Sequence, residues 1–569
     1  MSKTGTISPR RWLAALALGL AASASAPAMA RSAADIIFRG GTVLPMTGSD
    51  VSAEAVAVKD GRILAVGADA EIAKRKDGKT RIVDLAGRAL LPGFIDAHGH
   101  ITMMAQRTGI AALDPPPVGP VSDIASLQAA LRVQADKSPE GWIVGAGYDD
   151  AQMAERRHPT RQELDAVSMD RPIAAIHVSS HLATLNTKAL ELSGLLTAEA
   201  DPPGGVIRRE ADGKTASGVV EETAMFAAMR GMPSASLDEQ IDALMAAQRV
   251  YAANGLTTAQ DGATTPEAWQ LLSAAAERGS LFLDVHALPL AMMKWDERSA
   301  LPFNAPYRSH LRVAGVKIIA DGSPQGRTAW LSRPYHEPPP GRDKSYAGYR
   351  QIPDEAFRAA LSNAADKGWQ AYVHVNGDAA IQQLIDGVRA VGSAGQKPLK
   401  RTIAIHAQTA RADQLRQMKT LDIEPSFFAA HTFFWGDWHR DVVLGNERGD
   451  HISPQREAFD AGLRPTIHND APVVPPDMIR LIWSSVTRRT RSGDILGPSE
   501  RVSTYEALEQ VTRNAAYAIQ EEATKGTLEP GKLADFVILS ANPLTLPKER
   551  LLELKVEATI KEGTYVFGK

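Results

Sequence analysis

The sequence predicts an α/β protein in which a closed barrel of parallel strands carries a smaller β domain built from both ends of the chain. Apolar strand-like runs alternate with helical stretches through the middle of the 569-residue chain, an order typical of parallel sheets. The number of these units favours a closed barrel over an open sheet. A chain of this length exceeds what one hydrophobic core usually organises, so a second, smaller domain is expected.

The first thirty residues predict an export signal, which we set apart from the fold. Arg10 and Arg11 precede an apolar stretch over residues 12–22, and small residues from Ala28 to Ala30 suit a cleavage site. The stretch is shorter than the roughly 20 residues that a membrane-spanning helix needs, so no integral membrane span is expected. The arginine pair fits twin-arginine or Sec export. The mature protein is therefore expected to be periplasmic or secreted.

Charge and composition exclude several classes of partner and site. The chain has 63 Lys plus Arg against 66 Asp plus Glu, a net charge of -3, and no basic run beyond the N-terminus, which argues against nucleic-acid binding. It contains no Cys, so disulfides, thiolate ligands and a cysteine nucleophile are excluded. Any metal must be held chiefly by His or carboxylate. A homo-oligomer is compatible with the sequence.

Both ends of the mature chain have the texture of short strands joined by glycine-containing turns. Residues 36–44 and 55–66 show it near the start, and residues 533–539 and 558–567 show it again near the end. The pattern predicts one small composite β-sandwich domain, formed by residues 31–90 and 521–569. The chain leaves this domain once and returns to it once.

The barrel is predicted to span residues 91–520. Its strand-like runs are residues 89–95, 256–260, 283–287, 315–320, 371–375, 402–405 and 465–467. Residues from about 112 to 232 interrupt this rhythm and are interpreted as an inserted cap region over the site. In such barrels the catalytic residues lie at the C-terminal ends of the strands, and the polar residues described next fall at those ends.

His98 and His100 end the first apolar strand, two residues apart. The side-chain period of a strand places both imidazoles on one face, the spacing for two ligands of one metal ion. On its own, a His-x-His motif is as often two ordinary polar residues as a pair of metal ligands.

Lys317 lies inside an apolar strand, where a buried ammonium group is costly unless it is paired or neutralised. One interpretation is an ion pair with a neighbouring carboxylate such as Asp321. The other is a lysine carbamate that bridges two metal ions. His374 and His406 end two further strand-like runs, and each alone is as typical of a core histidine as of a ligand. Asp470 follows one more strand, and by itself would be taken as a turn or helix cap.

The order His-x-His, Lys, His, His, Asp, each near the end of a successive strand, resembles the amidohydrolase superfamily. More narrowly, the segments Leu91-Pro-Gly-Phe-Ile-Asp-Ala-His-Gly-His100, Lys317 to Ser323 with Arg327, and His374 to Asp378 are similar to amidohydrolase family 3, the branch of YtcJ-like proteins and N-substituted formamide deformylases. Residues 512–515 and 526–539 resemble the same branch. The resemblance covers nearly everything after the export signal.

This resemblance implies a TIM-like (β/α)8 barrel of the metallo-dependent hydrolase type. It implies that His98, His100 and Asp470 hold one metal ion, that His374 and His406 hold a second, and that carboxylated Lys317 bridges them. Zinc is expected, because nitrogen and oxygen ligands suit it and hydrolysis needs no redox chemistry. The chain departs from the family at His468-Asn469, where Gly-Ser is usual, and at Ala404, near a common Arg-Ile-Glu-His pattern. These changes alter the surroundings of the ligands.

The expected reaction is hydrolysis of a C–N bond in an N-substituted amide, such as an N-formyl or N-acyl amine. A bound metal lowers the pKa of water from about 16 to about 7, and Asp470 is the candidate catalytic base. Carbamates, esters and cyclic amides remain open as substrates of the same site. A catalytically inert periplasmic binding or regulatory protein is the alternative of another class, whereas a phosphodiesterase lacks an evident Arg and Lys cluster in the cap.

The small-molecule substrate is expected to carry an aryl or flat apolar group. Aromatic residues from His431 to Trp438 follow a strand end and can stack such a group, although loop packing or a dimer contact explains them as well. The candidate substrate-binding residues are Tyr148, His181, Arg327, Trp330, His431 and Trp435.

Overall fold

The computed structural model describes residues 32–179, 182–202, 205–229, 232, 235–291, 300–339 and 342–568. The predicted export signal and the candidate His181 lie outside the described residues. Among the residues that are described, no helix combines the length and the apolar character needed to cross a membrane.

The N-terminal part forms two small layers of short strands. Its elements are β1 Ile36–Arg39, β2 Thr42–Val43, β3 Ala55–Lys59, β4 Arg62–Gly67, α1 Asp69–Ile72, β5 Arg81–Asp84 and β6 Ala89–Pro92. Four strands pair in the order β4-β3-β1-β5, with β1 antiparallel to β3 and parallel to β5. Phe38 and Val56 lie in the hydrophobic core beneath this sheet.

The first parallel strand leads directly into the inserted region. The elements are β7 Phe94–Ile95, α2 Ile101–Gln106, β8 Ala111–Ala112, α3 Ile124–Lys137, β9 Ile143–Tyr148, α4 Arg161–Asp165, β10 Ile173–His177, β11 Leu182–Leu185, α5 Thr187–Ser193, β12 Gly205–Arg209, β13 Ala216–Glu222 and α6 Thr223–Met229. Strands β8 to β13 form one mixed sheet with the order β12-β13-β11-β10-β9-β8. The sheet packs on its own apolar clusters, so this region has a core separate from that of the parallel strands.

The remaining strands alternate with helices, as the sequence predicts. They comprise α7 Leu237–Ala253, β14 Leu256–Thr264, α8 Pro266–Glu277, β15 Asp284–Pro289, β16 Leu311–Val313, β17 Val316–Ile319, α9 Asp354–Lys367, β18 Ala371–Val375, α10 Asp378–Ser393, β19 Thr402–His406, α11 Ala412–Thr420, β20 Ile423–Phe427, α12 His431–Trp438, α13 Asn446–Asp450, α14 Gln455–Asp460, β21 Thr466–Ile467, α15 Met478–Thr487, α16 Thr504–Val511 and α17 Arg513–Ala518.

Two all-parallel sheets carry the residues of the candidate metal centre. Their strand orders are β16-β15-β14-β7 and β17-β18-β19-β20-β21. Only Ala314 and Gly315 separate β16 from β17, and a parallel bridge between Leu290 and Lys317 links the two sheets there. The strands are apolar and buried, because helices cover them. In α10, for example, the spacing of Ile381, Leu384, Ile385 and Val388 gives one apolar face.

The chain ends in a sheet that it shares with its N-terminal part. The last strands are β22 Phe536–Leu539, β23 Val556–Lys561 and β24 Thr564–Phe567, and the sheet order is β2-β6-β22-β23-β24. Antiparallel pairing of β22 with β6 brings Ile538 opposite Leu90. Strands from both ends of the described chain therefore meet in one sheet, as their similar texture predicts.

Candidate metal centre

The six predicted ligands lie together at the carboxyl ends of the parallel strands. His98 and His100 follow β7, Lys317 lies in β17, His374 and His406 belong to the ends of β18 and β19, and Asp470 follows β21. Nε2 of His100 lies 3.2 Å and Nε2 of His98 lies 3.4 Å from Oδ1 of Asp470. Residues distant in sequence converge because parallel strands end at one edge of a sheet.

A buried glutamine fixes the orientation of the His98 ring. Nδ1 of His98 lies 2.7 Å from Oε1 of Gln260, an oxygen that only accepts hydrogen bonds. Nδ1 therefore carries the proton, and Nε2 keeps its lone pair towards Asp470 and Lys317. Gly262 allows this close packing, because a Cβ atom there would lie 2.3 Å from Cε1 of His98.

Lys317 is buried, with 2% of its surface exposed, and its Nζ atom lies 3.0 Å from Nε2 of His98. Burial lowers the pKa of Lys317 to about 7, because the interior disfavours the charged ammonium. The ion pair with Asp321 that local spacing suggested is wrong. Asp321 instead accepts hydrogen bonds from the backbone N–H groups of Trp330, Asn376 and Gly377, at 2.8 to 2.9 Å.

His374 and His406 point ring nitrogens at each other across the end of the sheet. Nδ1 of His374 lies 3.1 Å from Nε2 of His406. On its other side, Nε2 of His374 lies 3.0 Å from the carbonyl oxygen of Gly322, which can only accept. When Nε2 donates to that carbonyl, Nδ1 of His374 offers a lone pair in the direction of His406.

Asp470 has a backbone conformation that suits its place in the centre. Its φ angle of 54° lies in the left-handed region, which Asp adopts more readily than most residues. Burial alone would raise the pKa of Asp470, but the imidazole of His100, 3.2 Å away, and the nearby rings of His406 and His98 favour the carboxylate and hold that pKa well below its usual range. Oδ1 accepts no hydrogen bond of standard geometry from any described residue.

This donor set fits a divalent metal ion. Ligand atoms of His98, His406 and Asp470 lie within 4.8 Å of one another, a spacing that one ion or two neighbouring ions with metal bonds of about 2.0–2.2 Å can span. Burial lowers the pKa of both His98 and His406 well below the ordinary value, so both rings are neutral and keep a lone pair. A buried carboxylate oxygen without a donor and lone pairs that converge are the features expected where a cation belongs.

His468 is a site residue whose contacts sequence reasoning missed. Its Nε2 atom lies 3.0 Å from Nδ1 of His406, and its Nδ1 atom lies 2.9 Å from Oγ of Ser426. The signal was present, since His468 and Asp470 are two residues apart at a strand end, like His98 and His100.

Aromatic side chains extend from this centre towards the inserted region. The ring of Phe428 lies 5.4 Å from that of His468 and 4.2 Å from that of His431, which in turn lies 4.7 Å from the ring of Trp435. Nδ1 of His431 lies 2.8 Å from Nε2 of His439. Two predicted substrate-binding residues, His431 and Trp435, therefore lie in the row of aromatic side chains that begins at the centre with Phe428.

Beyond Trp435 lies a small cleft of about 20 Å³ between the insertion and the segments that follow β20 and β21. It is lined by Asp114, Pro115, Val118, Asp149, Gln152, Val178, Phe434, Trp435, Val473, Val474 and Arg491. Nε1 of Trp435 donates to Oδ2 of Asp149 at 3.1 Å, and Nε2 of Gln152 donates to the carbonyl of Phe434 at 3.2 Å. These bonds join the insertion to α12 along one wall of the cleft.

Three other predicted substrate-binding residues lie elsewhere among the described residues. Tyr148 is fully buried in the core of the insertion, where its hydroxyl contacts Thr184 at 3.1 Å and His158 at 3.2 Å. Arg327 donates to the carbonyls of residues 337 and 338 and lies over the ring of Trp438. The ring of Trp330 packs under the guanidinium of Arg350 and borders a separate groove beside α9 and α10.

Comparisons with known proteins agree with this arrangement. The chain is 28% identical over 557 residues to YtcJ of Bacillus subtilis (strain 168), covering 94% of this chain and 99% of YtcJ. It is 26% identical over 550 residues to the N-substituted formamide deformylase of Arthrobacter pascens, covering 94% and 98% of the two chains. A crystal structure of a metal-dependent hydrolase from Pyrococcus horikoshii superimposes with a TM-score of 0.73 at 22% identity, over 90% of this chain and 99% of the other.

The structural likeness assigns an α/β fold of the TIM-barrel type. The model of the amidohydrolase family matches residues 81–567, which include all six residues of the candidate metal centre. The chain therefore belongs to the amidohydrolase family.

Proposed function

We propose that this protein is a metal-dependent hydrolase that cleaves the C–N bond of an N-substituted amide, such as an N-formyl or N-acyl amine, to an acid and an amine. The observation that carries the proposal is the convergence of four histidines and Lys317 around Asp470, whose Oδ1 atom lies 3.2 Å from His100 and 3.4 Å from His98. The 26% identity to an N-substituted formamide deformylase supports this reaction class.

The proposed cofactor is zinc, two ions per chain. His98, His100 and Asp470 would hold one ion, His374 and His406 the other, and Lys317 would bridge them as a carbamate. When bound, such ions acidify a water molecule and polarise a carbonyl oxygen. The low pKa of Lys317 supports its role, because only a neutral amine adds carbon dioxide.

Asp470 is the proposed catalytic base. Its depressed pKa keeps the carboxylate ionised at neutral pH, so it can take a proton from the attacking water and hand it to the leaving nitrogen. Its buried Oδ1 atom is directed at the histidine nitrogens rather than at a donor. The strand end and the left-handed backbone hold the carboxylate in this position.

The cleft beside Trp435 is the proposed site for the apolar part of the substrate. Val118, Val178, Val473 and Val474 line it together with two aromatic rings, a surface that favours an aryl or other flat apolar group. Because its volume of about 20 Å³ holds only about one water molecule, its walls would have to separate to admit such a group. Val473 and Val474 follow Asp470 closely in the chain, and the N–H of Val473 donates to the carbonyl oxygen of Asp470 at 2.8 Å, so a group bound there would lie beside the segment that carries the proposed base. His431 would contact the same substrate from the side of Phe428.

We further propose that β16 and β17 act as one bent strand of an eight-stranded barrel over residues 91–520. The insertion, about 112–232, would cap the site, and residues 31–90 and 521–569 would form one β-sandwich domain. The protein is proposed to act in the periplasm or outside the cell after removal of residues 1–30.

The test is metal content of the purified mature protein together with turnover of N-formyl and N-acyl aryl amines. About two zinc ions per chain and release of amine would support the proposal, with a chelator-treated sample as the matched control. Metal without amide turnover, but with cleavage of carbamates, esters or cyclic amides, would change the substrate class. Absence of bound metal under saturating zinc would overturn the proposal in favour of a binding protein.

A further inference from the structure

His468 and Ser426 form a buried chain of polar atoms that leads away from the candidate metal centre. Ser426 lies in β20 and His468 follows β21, and both are buried, with 0% and 1% of their surfaces exposed. Nδ1 of His468 lies 2.9 Å from Oγ of Ser426, and Nε2 of His468 lies 3.0 Å from Nδ1 of His406. The chain of contacts ends at His406, whose other ring nitrogen, Nε2, faces the candidate metal centre.

The direction of these hydrogen bonds decides whether Nε2 of His406 carries a proton or a lone pair that can bind a metal ion. A neutral imidazole has one N–H group and one lone pair. If Nδ1 of His406 donates to Nε2 of His468, then Nε2 of His406 presents a lone pair to His374 and Asp470. His468 then carries its own proton on Nδ1 and donates it to Oγ of Ser426. If the direction is reversed, Nε2 of His406 carries a proton and cannot bind a metal ion.

We propose that His468 is a positioning residue, which, anchored by Ser426, holds His406 in the tautomer that presents its Nε2 lone pair to the metal. This inference rests on the proposed metal-dependent function. Three neighbouring strands, β19, β20 and β21, fix the three side chains, so the ring of His406 cannot rotate without breaking the chain of contacts. His468 would thus act on the metal only through His406, whose Nδ1 atom it contacts.

The experiment measures zinc and cobalt dissociation constants of the full-length mature protein by chelator competition. His468→Leu removes the acceptor for Nδ1 of His406 and is expected to weaken binding of the ion held by His374 and His406 by about 10-fold to 100-fold. His468→Gln keeps an oxygen acceptor of similar reach, and its affinity is expected to stay within about threefold of the unmodified protein. The visible spectrum of the cobalt-loaded His468→Leu variant should differ from that of the unmodified protein, and the spectrum of the His468→Gln variant should match it.

The matched control is His439→Leu, which removes another buried His–His hydrogen bond, 2.8 Å long, whose partner His431 is not a candidate ligand. Its metal affinity is expected to stay unchanged. If His468→Leu does not fold, Ser426→Ala serves instead, because it removes only the anchor and should weaken the same ion several-fold.

Unchanged affinity in a folded His468→Leu protein, or in Ser426→Ala where the first variant does not fold, would overturn the positioning role. A loss that His468→Gln fails to reverse would also overturn it, because that result indicates a packing effect. An unmodified protein that binds neither zinc nor cobalt would instead overturn the proposed function itself, so the two failures are distinguishable.

Discussion

The Nζ atom of Lys317 lies 3.0 Å from Nε2 of His98 in the buried centre of the site. Because Gln260 holds the proton of His98 on the opposite nitrogen, Nε2 can accept a hydrogen bond from the lysine. A pKa of about 7 makes a large share of Lys317 neutral near neutral pH. The neutral amine can add carbon dioxide: a new N–C bond forms, one proton leaves the nitrogen, and a carbamate anion results.

Lys317→Met should lower the metal content from about two ions to one or fewer. Turnover should fall on the order of 100-fold or more, because loss of a direct ligand exceeds the effect of an outer contact. Metal analysis and initial rates measure both effects, and Lys400→Met, at an exposed position, is the control. After exposure to ¹³C-labelled carbon dioxide, the unmodified protein should show a carbamate resonance that is absent from Lys317→Met. Full metal content and full activity in Lys317→Met would contradict the carbamate bridge.

Asp470→Asn should reduce turnover by about 10²-fold to 10⁴-fold, the usual contribution of a general base. The amide keeps the size of the side chain and one oxygen ligand, so part of the metal should be retained. Initial rates at saturating metal check this expectation. Asp477→Asn is the control, because Asp477 caps the start of α15 by accepting from the N–H of Arg480. Undiminished turnover in Asp470→Asn would require a different base.

Trp435→Ala should raise KM for aryl amides about 10-fold while changing KM for small N-alkyl amides less. Loss of a buried aromatic wall removes contacts of about 1–2 kcal/mol with an apolar group, and about 1.4 kcal/mol corresponds to tenfold in affinity. Trp435→Phe keeps an aromatic ring but loses the hydrogen bond to Asp149, so its effect should be smaller. Trp269→Ala, in α8, is the control. Equal changes for aryl and small substrates would place the aryl group elsewhere.

His158 should make the stability of the protein depend on pH between about 6.5 and 4. Burial lowers the pKa of His158 to about 4, whereas the unfolded chain has the ordinary value of about 6.5. The unfolded state therefore binds more protons in this window, and the stabilisation present above pH 6.5 is lost as pH falls towards 4. His158 alone should contribute about 2 kcal/mol between pH 7.5 and 5.

Denaturant unfolding of the His158→Gln variant at several pH values tests this contribution. The amide can still bond to the hydroxyl of Tyr148, which lies 3.2 Å from Nδ1 of His158. The pH dependence of its free energy of unfolding should be shallower than that of the unmodified protein by up to one proton. Parallel curves for the two proteins would show that His158 titrates alike in both states.

Lys525→Met should destabilise the protein by about 3–5 kcal/mol, because it leaves buried carboxylates without their positively charged partner. Nζ of Lys525 lies 2.5 Å from Asp284 and 2.8 Å from Glu521, and Lys561 of β23 also contacts Asp284 at 2.9 Å. These ion pairs tie the C-terminal strands to β15. Chemical denaturation measures the loss, and Lys74→Met, which removes an exposed ion pair with Glu71, should change stability little. A change no larger than that of the control would contradict the buried network.

The alternation of strands and helices was predictable, because it depends on local texture. The similar texture of the two chain ends suggested that they share a sheet, but the pairing of β6 with β22 depends on the tertiary structure. The candidate ligands His98, His100, Lys317, His374, His406 and Asp470 could be named because their order along the chain resembles the amidohydrolase superfamily. Spacing alone left each of them open. They lie close together in the fold because the ends of parallel strands meet at one edge.

Only the tertiary structure decided which side chains meet across strands. The spacing of Lys317 and Asp321 suggested an ion pair, but Asp321 binds backbone N–H groups from later segments. Tyr148 fits a binding cleft by residue type, yet it is buried in the separate core of the insertion. His468 and His406 are 62 residues apart and meet because β20 lies between β19 and β21. Such contacts depend on the positions of distant strands in space, which local periodicity does not encode.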